Sequence, residues 1–383
     1  VALPKITSAF LNLTNACCLA CKYCFVHQSP EHMTLQVAKD AADFLAANAK
    51  AQGEIPSINF FGGEPMLRYE QVIVPLTLYI RDTYGDHFNL SMTSNGMLFT
   101  EDRLSFMRKH GVSLLFSMDG GREVQDMNRP RVDGGSSFET LEKTIPLILQ
   151  YYPEVMFRAT VNEETQDKLF DSILFAERHG FKTFFVMPDC FAVWKTTHGL
   201  DREMRKYSDH YIDCLRGSVT PIYFSQLEKY FSRIRQYNRT VINNSMRDFD
   251  GCKACGKCGL GSNKFAGINI NGDVTSCQEF FSRTDDKFLI GNIYTGINDN
   301  LRAQLIEEFD SSPVYGNNCE ACPLNRICVG GCVANNYMIT GDIHHVPDIY
   351  CHWERLLFGE AVYIMQVLGE ERNEAFAQRW CMA

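Results

Sequence analysis

Asn15-Ala16-Cys17-Cys18-Leu19-Ala20-Cys21-Lys22-Tyr23-Cys24-Phe25 follows an apolar run, Ile6 to Leu13, that reads as a first β-strand. Cys17, Cys21 and Cys24 fall in the pattern C-x3-C-x2-C. A short loop with that spacing wraps its thiolates around one corner of an iron-sulfur cube and leaves one iron without a protein ligand. That open iron is a place for chemistry. Zinc is the rival reading, but structural zinc sites close with paired knuckles, and no fourth ligand lies nearby in sequence.

Outward from this loop the chain alternates strand and helix, the pattern of a parallel sheet with crossover helices. Helical periodicity covers Thr34 to Lys50, and Ser57 to Phe61 is a short buried strand running into Gly62-Gly63-Glu64-Pro65. A helix over Gln71 to Thr83 precedes strand Asn89 to Thr93, which ends at Ser94-Asn95-Gly96. Helix Glu101 to His110 leads to strand Val112 to Phe116 and then Ser117-Met118-Asp119-Gly120. Helix Ser137 to Tyr151, strand Val155 to Val161, helix Lys168 to His179 and strand Thr183 to Met187 complete six β/α units. They are expected to curl into an α/β partial (β/α)6 barrel with polar and glycine motifs at the carboxyl ends of the strands.

The whole chain has 383 residues, a formal charge of -9 and sixteen cysteines, enough length for a large core and a second, smaller domain. No Lys/Arg block stands out, which argues against nucleic acid as a partner. The chain starts Val1-Ala2-Leu3-Pro4 without an export signal or an apolar run long enough to span a bilayer. Clustered cysteines without an export signal point to metal in a reducing, cytoplasmic compartment and to no membrane.

The cysteine loop, with an aromatic residue, Tyr23, before its last Cys, resembles that of the radical S-adenosylmethionine (SAM) enzymes. The strand-end motifs fit the same family. Gly62-Gly63-Glu64-Pro65 resembles its GGEP motif, in which backbone carbonyls and the Glu meet the amino group of SAM; glycine lets backbone approach a ligand closely. The resemblance implies that Ser117 and Arg158 hold the SAM carboxylate and ribose, with Asn95 and Asp119 as further pocket residues. Arg158, among apolar strand neighbours, needs a counter-ion, either a bound carboxylate or a structural partner within the barrel. Asp119 has a second reading as the turn before Gly120.

From Pro188 to Phe249 the sequence says less. Arg202 to Leu215 and Gln226 to Tyr237 read as helices, and Cys190 and Cys214 lack ligand spacing and read as buried apolar thiols. Then Cys252-x2-Cys255-x2-Cys258 precedes a β-hairpin with Asn271-Gly272-Asp273 at its turn and Cys277 after it. Cys319-x2-Cys322-x5-Cys328-x3-Cys332 and the single Cys351 follow. This set resembles the SPASM domain, a small cysteine-rich domain with a β-hairpin and short helices, and paired zinc knuckles do not explain it. The expected division is a barrel over 1–190, a helical bridge over 191–250, a SPASM domain over 251–352 and a C-terminal helix over 353–383.

By that resemblance Cys258, Cys277 and Cys332 bind a first auxiliary 4Fe-4S cluster, completed by Cys255 or Cys252, and Cys319, Cys322, Cys328 and Cys351 bind a second. Three 4Fe-4S clusters and SAM are thus the implied cofactors. A flavodoxin- or ferredoxin-type protein is the implied electron donor, and a precursor peptide the implied substrate. The family's chemistry is reductive cleavage of SAM to a 5'-deoxyadenosyl radical that abstracts hydrogen from an unactivated carbon, the cofactor carrying the hard step.

Two outcomes compete within the family. Anaerobic sulfatase-maturing enzymes form formylglycine and carry an Asp just after the hairpin Cys that takes the substrate proton. Here that place is Gln278, and an amide is no base at neutral pH. Glu279 is next, with its side chain expected on the other face if the strand continues. The leading expectation is a maturase forming a thioether or carbon-carbon crosslink in a ribosomally made peptide. With only Val1 to Lys5 ahead of Ile6 in this sequence, leader recognition is expected of the barrel rim, the segment from 190 to 250 or a separate partner. A plain electron-transfer ferredoxin, the rival class, needs no GGEP motif.

Overall fold

The computed structural model describes residues 3–242, 264–281, 286–311, 319–324, 328 and 330–381. In chain order the main elements are β1 (Ser8–Asn12), α1 (Leu35–Gln52), β2 (Ser57–Phe61), α2 (Val74–Tyr84), β3 (Asn89–Ser94), α3 (Glu101–Lys109) and β4 (Val112–Ser117). They continue with α4 (Arg122–Asn128), α5 (Phe138–Tyr151), β5 (Met156–Val161), α6 (Leu169–Arg178), β6 (Thr183–Pro188), α7 (His198–Arg216), β7 (Tyr223–Phe224) and α8 (Ser225–Ile242). Then come β8 (Phe265–Ile268), β9 (Asp273–Thr275), β10 (Leu289–Asn292), β11 (Gly296–Ile297), α9 (Asp299–Ser311), α10 (Val333–Thr340) and α11 (Asp348–Glu370). The six β/α repeats read from the sequence are all present, so the α/β class with parallel strands stands.

The chain divides into two compact units. The first holds Val1–Ser117, Asp126–Tyr152 and Lys257–Pro313. In it β1 is central, parallel to β2 on one side (Ser8 opposite Ser57) and to β8 on the other (Ser8 opposite Phe265). β2, β3 and β4 continue in parallel, whereas β8, β9, β10 and β11 are antiparallel neighbours. Parallel neighbours end at one edge, so the loops after β1, β2 and β3 start side by side.

Local chemistry explains these boundaries. Thr34 caps α1 by accepting the Val37 N–H at 3.2 Å, and Gly53 ends it in the left-handed conformation at φ 66°. Thr100 caps α3 in the same way, with Glu101 and Asp102 in the first turn and Arg108 and Lys109 in the last, which suits the helix dipole. The helix expected from Gln71 begins as regular α only at Val74, after a π turn over Tyr69–Ile73; Pro75 in the first α turn has no N–H to continue the earlier pattern. Ile58, Phe60, Leu90, Met92, Leu45 and Leu76 are buried without measurable or with minimal exposure and form the core between sheet and helices.

The second unit holds Met118–Gln125, Pro153–Gly256 and Val314–Ala383. β5, β6 and β7 are parallel, Met156 opposite Thr183 and Thr183 opposite Tyr223. Its core is aromatic: Phe157, Phe184, Phe224, Tyr207 and Trp353 are buried, with Phe157 and Phe184 stacked at 5.3 Å between centroids. α11 packs on α7 and α8. Arg205 forks onto Glu360 at 2.9 to 3.2 Å, and Tyr230 donates to Glu354, so polar groups are matched along that seam. Among the described residues no helix is long and apolar enough to cross a membrane.

Candidate functional site

The cysteine loop is clasped from two sides. On one side, Leu13 donates to the Phe61 carbonyl, Gly63 to the Thr14 carbonyl at 2.7 Å and Glu64 to the Ala16 carbonyl at 2.9 Å. A Cβ on Gly62, which has φ 135°, would fall 2.3 Å from the Thr14 oxygen, and one on Gly63 would fall 2.3 Å from the Ala16 oxygen. The two glycines are therefore required by the backbone of the cysteine loop itself, a second cause beside the approach to a ligand read from the sequence. On the other side, Lys22 donates to the Asn128 carbonyl, Ala20 to Pro130 at 2.8 Å, and Val132 to Cys18 at 3.2 Å.

Glu64 is the hub of the next layer. It is 1% exposed, and its Oε1 accepts the Met66 N–H at 3.1 Å and the Ser94 hydroxyl at 2.8 Å. Its Oε2 accepts the Asn95 N–H at 2.9 Å. Burial pushes the carboxyl from 4.5 up to about 7, against the pull of these three hydrogen bonds. A buried carboxylate in this state is stabilised by a cation, and an ammonium group fits that need. The Asn95 side-chain amide reaches the Cys17 sulfur at 3.6 Å and the Cys18 sulfur at 3.5 Å. Glu64, Asn95 and Cys17 are thus brought together, as the sequence motifs required.

Cys17 and Cys21 are half-buried, and Cys24 is exposed. A shared hydrogen bond pushes Cys17 up and Cys18 down, while desolvation pushes the Cys24 thiol up. Metal coordination deprotonates such thiols outright, so a donor set of this kind suits a metal cluster. Arg129, 5% exposed, lies with Nη1 4.0 Å from the Cys21 sulfur and its guanidinium 5.2 Å from the Tyr23 ring.

The remaining cofactor candidates fall in different places. Ser117 is buried at the end of β4 in the first unit. Arg158 is half-buried in β5 of the second, 5.9 Å from the centre of the Phe185 ring. Asp119 is buried, and its Oδ1 accepts the Thr160 N–H at 2.9 Å while its own N–H donates to Gln125. Gly120 follows at φ 152°, where a Cβ would meet the Ser172 hydroxyl at 2.3 Å.

At the hairpin the structure departs from expectation. The turn at Asn271-Gly272-Asp273 is present, with Asn269 N–H bonded to the Asp273 carbonyl at 2.8 Å. β9 ends at Thr275, however, and Gln278–Phe280 forms a 3-10 turn. The strand does not continue, so Glu279 is not turned to the opposite face: the Gln278 amide donates to the Glu279 carboxylate at 3.2 Å. The Cys277 thiol donates to Gln278 at 3.2 Å, and the charge of Glu279 acts on Cys24. Cys252, Cys255 and Cys258 lie outside the described residues.

In the second unit the later cysteines gather. Burial pushes Cys328 up to about 12, and Glu354, Cys351 and Cys322 are among the groups close enough to act on it. Burial likewise pushes Cys351 up to about 11, against the pull of Arg355, with Cys319 and Cys322 among its neighbours. Cys319, Cys322, Cys328 and Cys351 therefore share one neighbourhood. Cys332 acts on the buried Cys190.

Sequence reasoning missed two participants. The clasp over Asn128–Val132 follows α4 as Asn128-Arg129-Pro130-Arg131, and the helix-stopping Pro130 between two arginines was its only signal. Arg355, which hydrogen-bonds Cys322, stands four residues after Cys351 on α11 and so shares its face, a spacing legible in the sequence. Of the aromatic residues after Pro188, Phe224 is core, Phe191 is exposed, and Trp194 donates to the Asp189 carbonyl at 2.8 Å.

Residues 11–176 match the radical SAM superfamily. The radical SAM cyclopropyl synthase TigE of Paramaledivibacter caminithermalis is 20% identical over 96% of this chain and 75% of its own length. The cysteine-type anaerobic sulfatase-maturating enzyme of Clostridium perfringens strain 13 is 23% identical over 86% of this chain and 89% of its own. Native anSMEcpe with bound AdoMet and the Cp18Cys peptide superposes with a TM-score of 0.74 at 18% identity, covering 95% of this chain and 99% of that one. Streptococcus suis SuiB bound to precursor peptide SuiA gives 0.60 at 16% identity over 91% and 76%.

Proposed function

We propose that this chain, of which residues 11–176 match the radical SAM superfamily, is a peptide maturase that forms a thioether or carbon-carbon crosslink in a ribosomally made precursor. The observation that carries the reading is the hydrogen-bonded line from Glu64 through Asn95 to Cys17. It joins a buried carboxylate suited to an ammonium with a thiol suited to iron. Cys17, Cys21 and Cys24 hold one 4Fe-4S cluster and leave one iron open to SAM. Together the bound cluster and SAM supply one-electron cleavage of a sulfonium bond and hydrogen abstraction from an unactivated carbon.

The protein's own share is positioning. Glu64 receives the SAM ammonium, with Gly62 and Gly63 fixing the backbone beside it. Asn95 ties that carboxylate to the cysteine loop. Ser117 and Arg158 receive the SAM carboxylate and ribose, and Asp119 steadies β5 two residues beyond Arg158 by holding the Thr160 N–H. Cys258, Cys277 and Cys332, with Cys255 or Cys252, hold one auxiliary cluster, and Cys319, Cys322, Cys328 and Cys351 another. Clusters held there would offer an acceptor for the electron left on the substrate, and a flavodoxin- or ferredoxin-type protein is the proposed donor of the first one. The barrel, bridge, SPASM domain and final helix divide at 190, 250 and 352 in this reading.

Gln278 supports crosslinking, because an amide does not take the proton that formylglycine formation releases. A second reading has one observation in its favour: the 3-10 turn sets the Glu279 carboxylate beside Gln278, where it offers a base. Co-expression with small open reading frames beside the gene, followed by mass spectrometry and hydrazide labelling, separates the two. A peptide lighter by two hydrogens that takes no hydrazide supports crosslinking. An aldehyde-labelled product overturns it in favour of formylglycine.

A further inference from the structure

In the second unit Glu177, in the last turn of α6, meets His210 and Cys214 of α7. The His210 Nε2 lies 2.9 Å from the Glu177 Oε2 and 3.6 Å from the Cys214 sulfur, and all three donor atoms lie within 4.8 Å of one another. The sequence reading took Cys214 for a buried apolar thiol. It is half-buried, one helical turn after His210, so both side chains leave the same face of α7.

We propose that Glu177, His210 and Cys214 form a binding site for a divalent transition-metal ion of zinc type, separate from the iron-sulfur cysteines, with a fourth position left to water. The donor set is right: imidazole nitrogen, thiolate and carboxylate are the three zinc ligand types. The spacing is close to right as well. With zinc–nitrogen and zinc–oxygen bonds near 2.0 Å and zinc–sulfur near 2.3 Å, tetrahedral ligand atoms stand about 3.3 to 3.6 Å apart. The thiol–imidazole pair is already there, and the imidazole–carboxylate pair needs to open by about 0.4 Å.

The surroundings orient the ligands. The Ile222 N–H occupies the Glu177 Oε1 at 3.0 Å, which leaves Oε2 facing the histidine. The Phe170 ring stands edge-on to the imidazole at 5.7 Å. Such outer contacts fix ligand orientation in metal sites. The His210 and Glu177 side chains keep 26% and 27% of their surface, so an ion has a way in. A bare ion pair between Glu177 and His210 accounts for two of the groups but not for the sulfur beside the same ring, 3.6 Å from Nε2 and 4.0 Å from Nδ1, which has to swing toward the Nε2 lone pair to share an ion. A bound ion would tie α6 to α7 and to the chain at Ile222.

The test uses the cluster-loaded protein, so that the cysteines assigned to clusters are occupied by iron. Wild type is equilibrated with Zn2+, stripped of loosely held metal with a weak chelator and analysed for zinc and iron. Wild type should retain about one zinc per chain more than Cys214→Ala, at equal iron content; this variant leaves the Glu177–His210 pair intact. Equal zinc in both proteins overturns the site. Zinc-edge absorption on the wild type decides independently of any variant. One sulfur with nitrogen and oxygen neighbours supports the site, and an all-sulfur shell, meaning zinc in a cluster position, contradicts it.

Discussion

The Asn95 side-chain amide stands 3.6 Å from the Cys17 sulfur while its backbone N–H donates to Glu64 at 2.9 Å. One residue thus couples the strand-end carboxylate to the cysteine loop. Removing its side chain breaks the second link and keeps the first, because alanine retains the backbone N–H that Glu64 accepts. Asn95→Ala is expected to lower iron retention at Cys17, Cys21 and Cys24 while leaving SAM affinity per loaded cluster close to wild type. Equilibrium SAM binding and iron analysis of the same preparation check this. A tenfold or greater fall in SAM affinity, the size expected for losing a hydrogen bond to a charged group at about 1.5–3 kcal/mol, would show that the side chain acts on Glu64 as well.

Glu64 sets a pH dependence. Its folded-state pKa is raised from 4.5 to about 7 by burial. A carboxyl raised in this way stabilises the SAM-free fold fully below about pH 4.5, and that contribution is lost as pH rises through about 7. Glu64→Gln, uncharged throughout, should therefore gain in melting temperature relative to wild type between about pH 5 and 7. SAM binding draws on the ionised form, so wild-type affinity should rise across the same window. In Glu64→Gln it should be weaker and flat.

The glycine pair carries a packing prediction. A methyl on Gly63 would lie 2.3 Å from the Ala16 carbonyl oxygen, which is backbone and has no rotamer to escape into. Gly63→Ala should cost about 1–3 kcal/mol in denaturant unfolding, the usual range for an overpacked site. Iron binding at the first cluster should fall with it, because the displaced carbonyl belongs to the residue before Cys17.

Arg355 among Cys319, Cys322 and Cys351 carries an electrostatic one. A guanidinium beside a cluster favours the reduced, more negative state. Arg355→Met should therefore lower the midpoint potential of the cluster proposed there. At an effective dielectric of 20 a charge about 6 Å away contributes roughly 3 kcal/mol, an upper bound of about 120 mV for one electron, and solvent screening brings the expected shift to tens of millivolts. A redox titration followed by electron paramagnetic resonance reads the shift.

Much of this was legible in the chain because repeated local signals agreed. Thr34, Thr100 and Gly53 mark helix ends by capping chemistry that depends on the residues at hand. The motifs Gly62-Gly63-Glu64 and Ser94-Asn95 follow strands whose apolar runs were short and clear. Contacts between distant segments were not legible. Asn128–Val132 reaches the cysteine loop across more than a hundred residues, through backbone hydrogen bonds that leave no side-chain pattern. The 3-10 turn at Gln278–Phe280 was missed because alternation was extended past Thr275, where the ladder of β9 with its neighbours has already ended. Cys214 is half-buried rather than buried, and the nearness of Glu177 on another helix leaves no mark in the sequence.

The most direct test of the central claim is SAM cleavage by the reconstituted protein. Under anaerobic conditions with dithionite, wild type loaded with about twelve irons, from three 4Fe-4S clusters, should release methionine and 5'-deoxyadenosine. The Cys17, Cys21 and Cys24 triple alanine variant should keep about eight irons and release neither. Cleavage that persists in the triple variant, or no cleavage by fully loaded wild type, would contradict the account.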